Sequence, residues 1–219
     1  MFIGHFAVGF GAKKLAPRVS LGTLILAVEF VDFLFPLFVL LSLEALRVDP
    51  GNTKVVPFDF FRYPFTHSLA TGIGWGLLLG LAYFALRRNG RGATVVGLAV
   101  VSHWVLDWIT HRPDMPLWPG GPKVGLGLWN SVAGTVAVEG AMFVLGVALY
   151  LTVTRARDRI GTWALWTLVG LLVLLYAMNI ASPPPTNVEN FAWVGLAAWL
   201  FVPWGYWIDR HREVRSVAQ

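Results

Sequence analysis

Long apolar runs separated by short polar intervals organise this chain. Six stretches reach the roughly 20 mostly apolar residues that a helix needs to cross a bilayer: 20–46, 66–86, 92–111, 129–153, 161–181 and 191–208. The first and fourth exceed that length, which predicts tilt or extension beyond the lipid. The apolar stretch 2–14 is too short to cross alone and reads as a half-span or re-entrant helix. Its backbone ends cannot face hydrocarbon unsatisfied, so protein must cover it. Pro183-Pro184-Pro185 marks an external turn through which no helix continues. No internal repeat, linker or low-complexity segment interrupts the pattern. The expectation is an all-α, polytopic transmembrane helical bundle of six spans plus the short N-terminal element, forming one domain over residues 1–219.

Composition agrees. Hydrophobic residues make up 56% and charged residues 13%, where a soluble domain carries about 25% charged; mean hydropathy is +0.63. Eleven tryptophans suit two interfacial belts. With no cysteine, disulfides, thiolate metal sites and cysteine nucleophiles are excluded. A net charge of +5 would raise nucleic acid as a partner in a soluble protein. Here the basic residues sit between apolar runs, so membrane orientation explains them and no nucleic acid is expected. The clusters Lys13/Lys14/Arg18, Arg87/Arg88/Arg91, Arg155/Arg157/Arg159 and Arg210/Arg212/Arg215 fall on one side if the spans alternate. The positive-inside rule makes that side, and the C-terminus, cytoplasmic. Lys13 and Lys14 follow the first apolar stretch rather than precede it, so it reads as part of the mature protein rather than a signal peptide.

Ionisable residues within spans mark functional sites by default. They are His5, Glu29, Asp32, His67, His103, Asp107, His111 and Glu139. At a rise of about 1.5 Å per residue, His5, Glu29, Asp32, His103, Asp107 and Glu139 reach the midplane or outer half from several helices. Glu29 and Asp32 are i, i+3 and share a face, and His103, Asp107 and His111 form an i, i+4, i+8 stripe. A histidine and a carboxylate one turn apart can hold the same ion. Nitrogen and carboxylate oxygen without sulfur suit zinc, manganese, iron or nickel. His5, Asp32, His67, His103 and Asp107 together point to one shared site, because burying all five without pairing or a metal is prohibitive. Glu139 reads either as a base or as a bundle hydrogen-bond partner, and His111 either as part of the stripe or as an interfacial side chain. Asp49, Asp59, Asp114 and Asp158 fall in loops and read as solvated charges.

The pieces Gly4-His5-Phe6, Glu29-Phe30-Val31-Asp32, Thr66-His67-Ser68 and Ser102-His103-Trp104-Val105-Leu106-Asp107 occur in an order that resembles the bacterial membrane-bound metal-dependent hydrolases, also described as LexA-binding inner-membrane hydrolases. The resemblance covers about the first half of the chain. It departs at Glu29-Phe30-Val31-Asp32, where that family has Pro-Asp-x-Asp, and at Arg62-Tyr63-Pro64-Phe65, where it has His-Arg-Gly before the Thr-His-Ser. The resemblance implies a multi-pass protein of the inner membrane acting as a hydrolase open toward the outer side. His5, Asp32, His67, His103 and Asp107 would hold a divalent metal ion, zinc first with manganese or iron as alternatives. Glu139 or Glu29 would accept the proton. Membrane lipids are the expected partners and a lipid or phosphoester the expected substrate, with Arg62 or Arg112 near the mouth for an anionic head group. Two other readings use the same residues: a proton or metal-ion transporter or channel, and a non-enzymatic membrane protein with a structural metal.

Overall fold

The computed structural model describes residues 1–215, so the C-terminal end itself, residues 216–219, lies outside the described residues. The chain runs α1 (Ile3–Leu15), α2 (Leu21–Val28), α3 (Phe30–Leu40), the strands β1 (Ala45–Val48) and β2 (Phe58–Arg62), α4 (Leu69–Arg87) and α5 (Gly90–Thr110). It continues through β3 (Met115–Pro116), β4 (Lys123–Val124), a 3-10 turn at Leu128–Asn130, α6 (Val132–Val153), β5 (Thr154–Ala156) and α7 (Arg159–Ala181). It closes with α8 (Val188–Ala197), a second 3-10 turn, α9 (Phe201–Arg210) and β6 (Arg212–Val214). The strands pair only as short antiparallel ladders, β1 with β2, β3 with β4 and β5 with β6.

Helix starts follow local chemistry. Ser20, Ser68, Asn89, Ser131, Asp158 and Asn187 each accept, through a side-chain oxygen, the backbone N–H three residues on. That satisfies one of the donors every helix start leaves orphaned. The helices α4, α5, α6, α7 and the continuous stretch Val188–Arg210 are long and apolar enough to span a membrane. Leu77, Leu81, Val144, Trp163, Leu174 and Val194 stay exposed on them, as lipid-facing positions do.

The first predicted span is corrected. It is two helices, α2 and α3, bent by 53° at Glu29, and it ends at Leu40 rather than at residue 46, because residues 45–48 leave the helix to pair as β1. The last span tracks this bend, with α9 packed along α2 and α8 along α3. Trp199 stacks on Phe33 at 4.9 Å and donates its indole N–H to the Phe33 carbonyl. Irregular backbone at membrane depth persists where protein surrounds it, and the break is enclosed in this way. The half-span α1 is covered as expected, lying against α6 and α2 with Ile3, Phe6 and Phe10 in a core shared with α2, α6, α7 and α9. Its crossing with α6 is so close that a Cβ on Gly146 would sit 2.3 Å from the Ala7 carbonyl oxygen. Gly76 of α4 and Gly97 of α5 meet similarly, and Gly80 of α4 lies against Ala93 of α5, so these glycines serve packing inside the bundle.

One end of the molecule gathers the basic clusters. Lys13, Arg18, Arg157 and Arg212 line one cavity there, and Arg18, Arg87 and Arg88 line a second beside it. Buried Lys13 bonds Asp209 at 3.2 Å and the Val19 carbonyl at 2.8 Å, tying α1 and the following turn to α9. The opposite end carries a cap of the β1–β2 hairpin and residues 111–131 over an aromatic cluster that includes Phe35, Phe58, Tyr63 and Trp104.

Candidate functional site

Four segments deliver ionisable side chains to one point beneath this cap. From α5 come His103 and Asp107, one turn apart on the same face and both buried. Asp32 comes from the first turn of α3, just past the break. Pro36 has no N–H, so the Asp32 carbonyl loses its partner one turn on. His67 precedes the Ser68 cap of α4, and His5 reaches in from α1.

Each histidine places Nε2 against carboxylate oxygen. His103 Nε2 lies 3.1 Å from Asp107 Oδ2 and 3.5 Å from Asp32 Oδ1. His67 Nε2 lies 3.1 Å from the same Asp32 oxygen and 3.7 Å from the same Asp107 oxygen. The atoms form a closed ring of alternating nitrogen and oxygen. His5 Nε2 contacts the other Asp107 oxygen at 3.1 Å, and its ring stacks on His103 at 3.7 Å. The Met1 amino group meets that same Asp107 oxygen. Within 4.8 Å of one another lie the ligand atoms of two overlapping triads, His5/His103/Asp107 and Asp32/His67/His103.

The far nitrogens are committed elsewhere. His103 Nδ1 lies 2.6 Å from the Val28 carbonyl. A carbonyl only accepts, so Nδ1 carries a proton, and Nε2 is the nitrogen that faces the carboxylates. That carbonyl is free because α2 ends at Val28 and α3 starts at Phe30, leaving it outside the helical ladder. His67 Nδ1 lies 2.7 Å from Thr66 Oγ1, whose hydroxyl donates to Glu44 at 2.6 Å. Among the described residues, buried His103 Nε2, His5 Nδ1 and Glu29 Oε1 have no hydrogen-bond partner. Asp32 is the accessible member, its side chain 37% exposed.

The two glutamates differ. Glu29 sits at the break, three residues before Asp32. Glu139 Oε2 accepts the backbone N–H groups of Phe2 at 2.8 Å and Gly4 at 3.2 Å, securing the start of α1.

Several expectations change. His111 leaves the stripe: α5 ends at Thr110, the His111 backbone is extended, and Nδ1 bonds Asp114 Oδ1 at 2.9 Å. Asp59 and Asp114 are buried rather than solvated. Asp59 pairs with Arg47 at 2.7 Å and with Arg112, and Asp114 accepts from Tyr63, His111 and Arg112. Arg112 is thereby occupied inside the cap. Arg62 donates to the Ser42 carbonyl at 2.8 Å, on the surface. Burial opposes ionisation of Asp114, but the hydrogen bonds from His111, Tyr63 and Arg112 outweigh it and hold the carboxyl below the usual carboxylate range. Burial first, and Asp114 second, push the Tyr63 phenol well above its usual value. Sequence reasoning passed over Glu44 and the Val28 carbonyl; the first stands near the end of the stretch 20–46 read as a span and was not counted among its ionisable residues, and the second carries no side-chain signal.

Fold and cluster together define a polytopic α-helical membrane protein with a buried histidine–carboxylate centre inside the bundle. Residues 51–183 match the family described as YdjM inner membrane protein. That stretch is more than half of the 219 residues, and the chain belongs to this family of bacterial inner-membrane proteins. The match includes His67, His103, Asp107 and Glu139, while His5, Glu29 and Asp32 precede it. No curated protein and no solved structure matches the chain.

Proposed function

We propose that this protein is a metal-dependent hydrolase of the inner membrane, with a divalent cation held by Asp32, His67, His103 and Asp107. The observation that carries the reading is the ring of four separations between 3.1 and 3.7 Å. Four ligands on a tetrahedron with zinc–ligand bonds of about 2.0–2.1 Å stand about 3.3 Å apart. An octahedral ion with similar bonds needs neighbours about 3.0 Å apart, which keeps manganese and iron beside zinc as candidates. The committed Nδ1 atoms of His67 and His103 support the same reading, because metal-binding histidines are oriented through their other nitrogen. His5 stands behind Asp107 and orients it rather than completing the ring.

When bound, such a cation supplies Lewis acidity toward a carbonyl or phosphoryl oxygen and acidifies water. The chain's own groups do the rest. Glu29 Oε1, buried and without a partner, is the proton acceptor, since Glu139 is engaged by the α1 backbone. Exposure at Asp32 leaves a way in for substrate. A centre enclosed by lipid-facing helices suits a lipid or another phosphoester of the membrane.

Elemental analysis of purified protein, before and after chelation, tests the metal. The wild type should carry about one divalent ion per chain, and His103→Ala should lose it with the helices still inserted. Glu29→Gln should keep the ion and lose phosphoester turnover by about 10²–10⁴-fold. A chelator-insensitive wild type without metal, beside a His103→Ala variant destabilised by about 3–5 kcal/mol, would leave a structural network of buried charges instead.

A further inference from the structure

Glu44 lies outside the spans, in the bend between α3 and β1, yet its carboxylate is almost fully buried. It accepts the backbone N–H groups of Phe65 at 2.7 Å and Thr66 at 2.9 Å through Oε1, and the Thr66 hydroxyl at 2.6 Å through Oε2. The bend itself is tied to α3, because the N–H groups of Leu43 and Glu44 both reach the Phe38 carbonyl. Thr66 Oγ1 in turn lies 2.7 Å from His67 Nδ1.

The direction of this chain follows from its first member. A carboxylate accepting three hydrogen bonds offers no proton, so the Thr66 hydroxyl must donate to it. The hydroxyl oxygen can then only accept from His67, which puts the imidazole proton on Nδ1. Nε2 is left as a lone pair facing Asp32 at 3.1 Å. We propose that Glu44, acting through Thr66, is a positioning residue that selects the His67 tautomer and so makes Nε2 available as a ligand. The inference rests on the metal-centre reading for its consequence, though the tautomer itself does not depend on it.

The isosteric change Glu44→Gln reverses the chain's polarity. Its amide oxygen is drawn to the two backbone N–H groups, because the opposite orientation would set an NH₂ group against both. The amide N–H groups then face Thr66 Oγ1, the threonine hydroxyl turns toward His67 Nδ1, and the imidazole proton moves to Nε2. There it occupies the position a cation would need. A purely structural Glu44 predicts no such reversal, because glutamine still holds the Phe65 and Thr66 backbone.

The test uses the full chain in nanodiscs as wild type, Glu44→Gln, Thr66→Val and Thr66→Ser. Three readouts are taken: imidazole ¹⁵N shifts of His67 without metal, zinc affinity by chelator competition, and melting temperature without metal. Wild type and Thr66→Ser should show the Nδ1–H form and bind zinc alike. Glu44→Gln should show the Nε2–H form, and both it and Thr66→Val should bind zinc about 10–100-fold more weakly, the range for lost outer partners of metal ligands. A folded Glu44→Gln that keeps the Nδ1–H form, or wild-type zinc affinity, overturns the proposal. If Glu44→Gln does not fold, the threonine pair decides, and equal zinc affinity in Thr66→Val and Thr66→Ser overturns it. Wild-type protein with the expected tautomers and no zinc affinity would remove the metal centre while leaving the positioning chain intact.

Discussion

His103 and Asp114 show how differently a buried polar side chain can be read from sequence. His103 lies on a spanning helix beside an aspartate one turn on, and that spacing alone nominated it. Asp114 looked like a loop charge, and its three-way contact with His111, Tyr63 and Arg112 was invisible because each partner sits on a segment of no regular pattern. Its depressed pKa has a testable sign. The stability it contributes is complete above the unfolded aspartate value of about 3.9 and is lost as pH falls through the lower folded value. Hydrogen exchange of amides 111–131, corrected for intrinsic rates, should therefore rise only below about pH 4. Asp114→Asn should show the raised exchange already at neutral pH. Flat protection of the cap through the acid range would mean that Asp114 does not hold it.

At the scale of elements, the site depends on two features of helix packing. The break at Glu29 releases the Val28 carbonyl to orient His103, and it places Asp32 in a first helical turn. No proline or glycine sits at residues 29–32 to announce it, and Pro36 lies a turn beyond inside α3. The close crossing of α1 and α6 sets the position of His5. Gly146→Ala would bring its methyl group to 2.3 Å from the Ala7 carbonyl oxygen, so α1 must shift. A loss of about 1–3 kcal/mol is expected for such overpacking, with weaker metal binding because His5 lies two residues from Ala7. Gly140→Ala on the same helix meets nothing within 4 Å and serves as the control. Equal melting temperatures for the two variants would show that the crossing relaxes freely.

For the whole molecule, orientation is the first question. The basic clusters meet at one end and the capped site at the other, so the positive-inside rule assigns the first to the cytoplasm. The chain has no cysteine, which makes single-cysteine labelling clean. In intact cells a membrane-impermeant maleimide should label Lys123→Cys and not Arg88→Cys. The reverse pattern would invert the topology and open the site to the cytoplasm. The spans were legible from sequence because the bilayer imposes one requirement on every crossing segment, about 20 apolar residues with all backbone groups bonded internally. The clustered histidines and carboxylates were legible for the converse reason, that hydrocarbon does not tolerate them without a partner. What each of them does was decided by tertiary structure. Which hydrogen-bond chain His67 Nδ1 joins depends on Glu44, 23 positions earlier in the chain. Whether a buried glutamate anchors a helix depends on whether α1 begins beside it, as it does for Glu139 and not for Glu29. A one-dimensional pattern records the polarity a position must have, while hydrogen-bond direction and partner are properties of atoms brought within about 3 Å of each other by the fold.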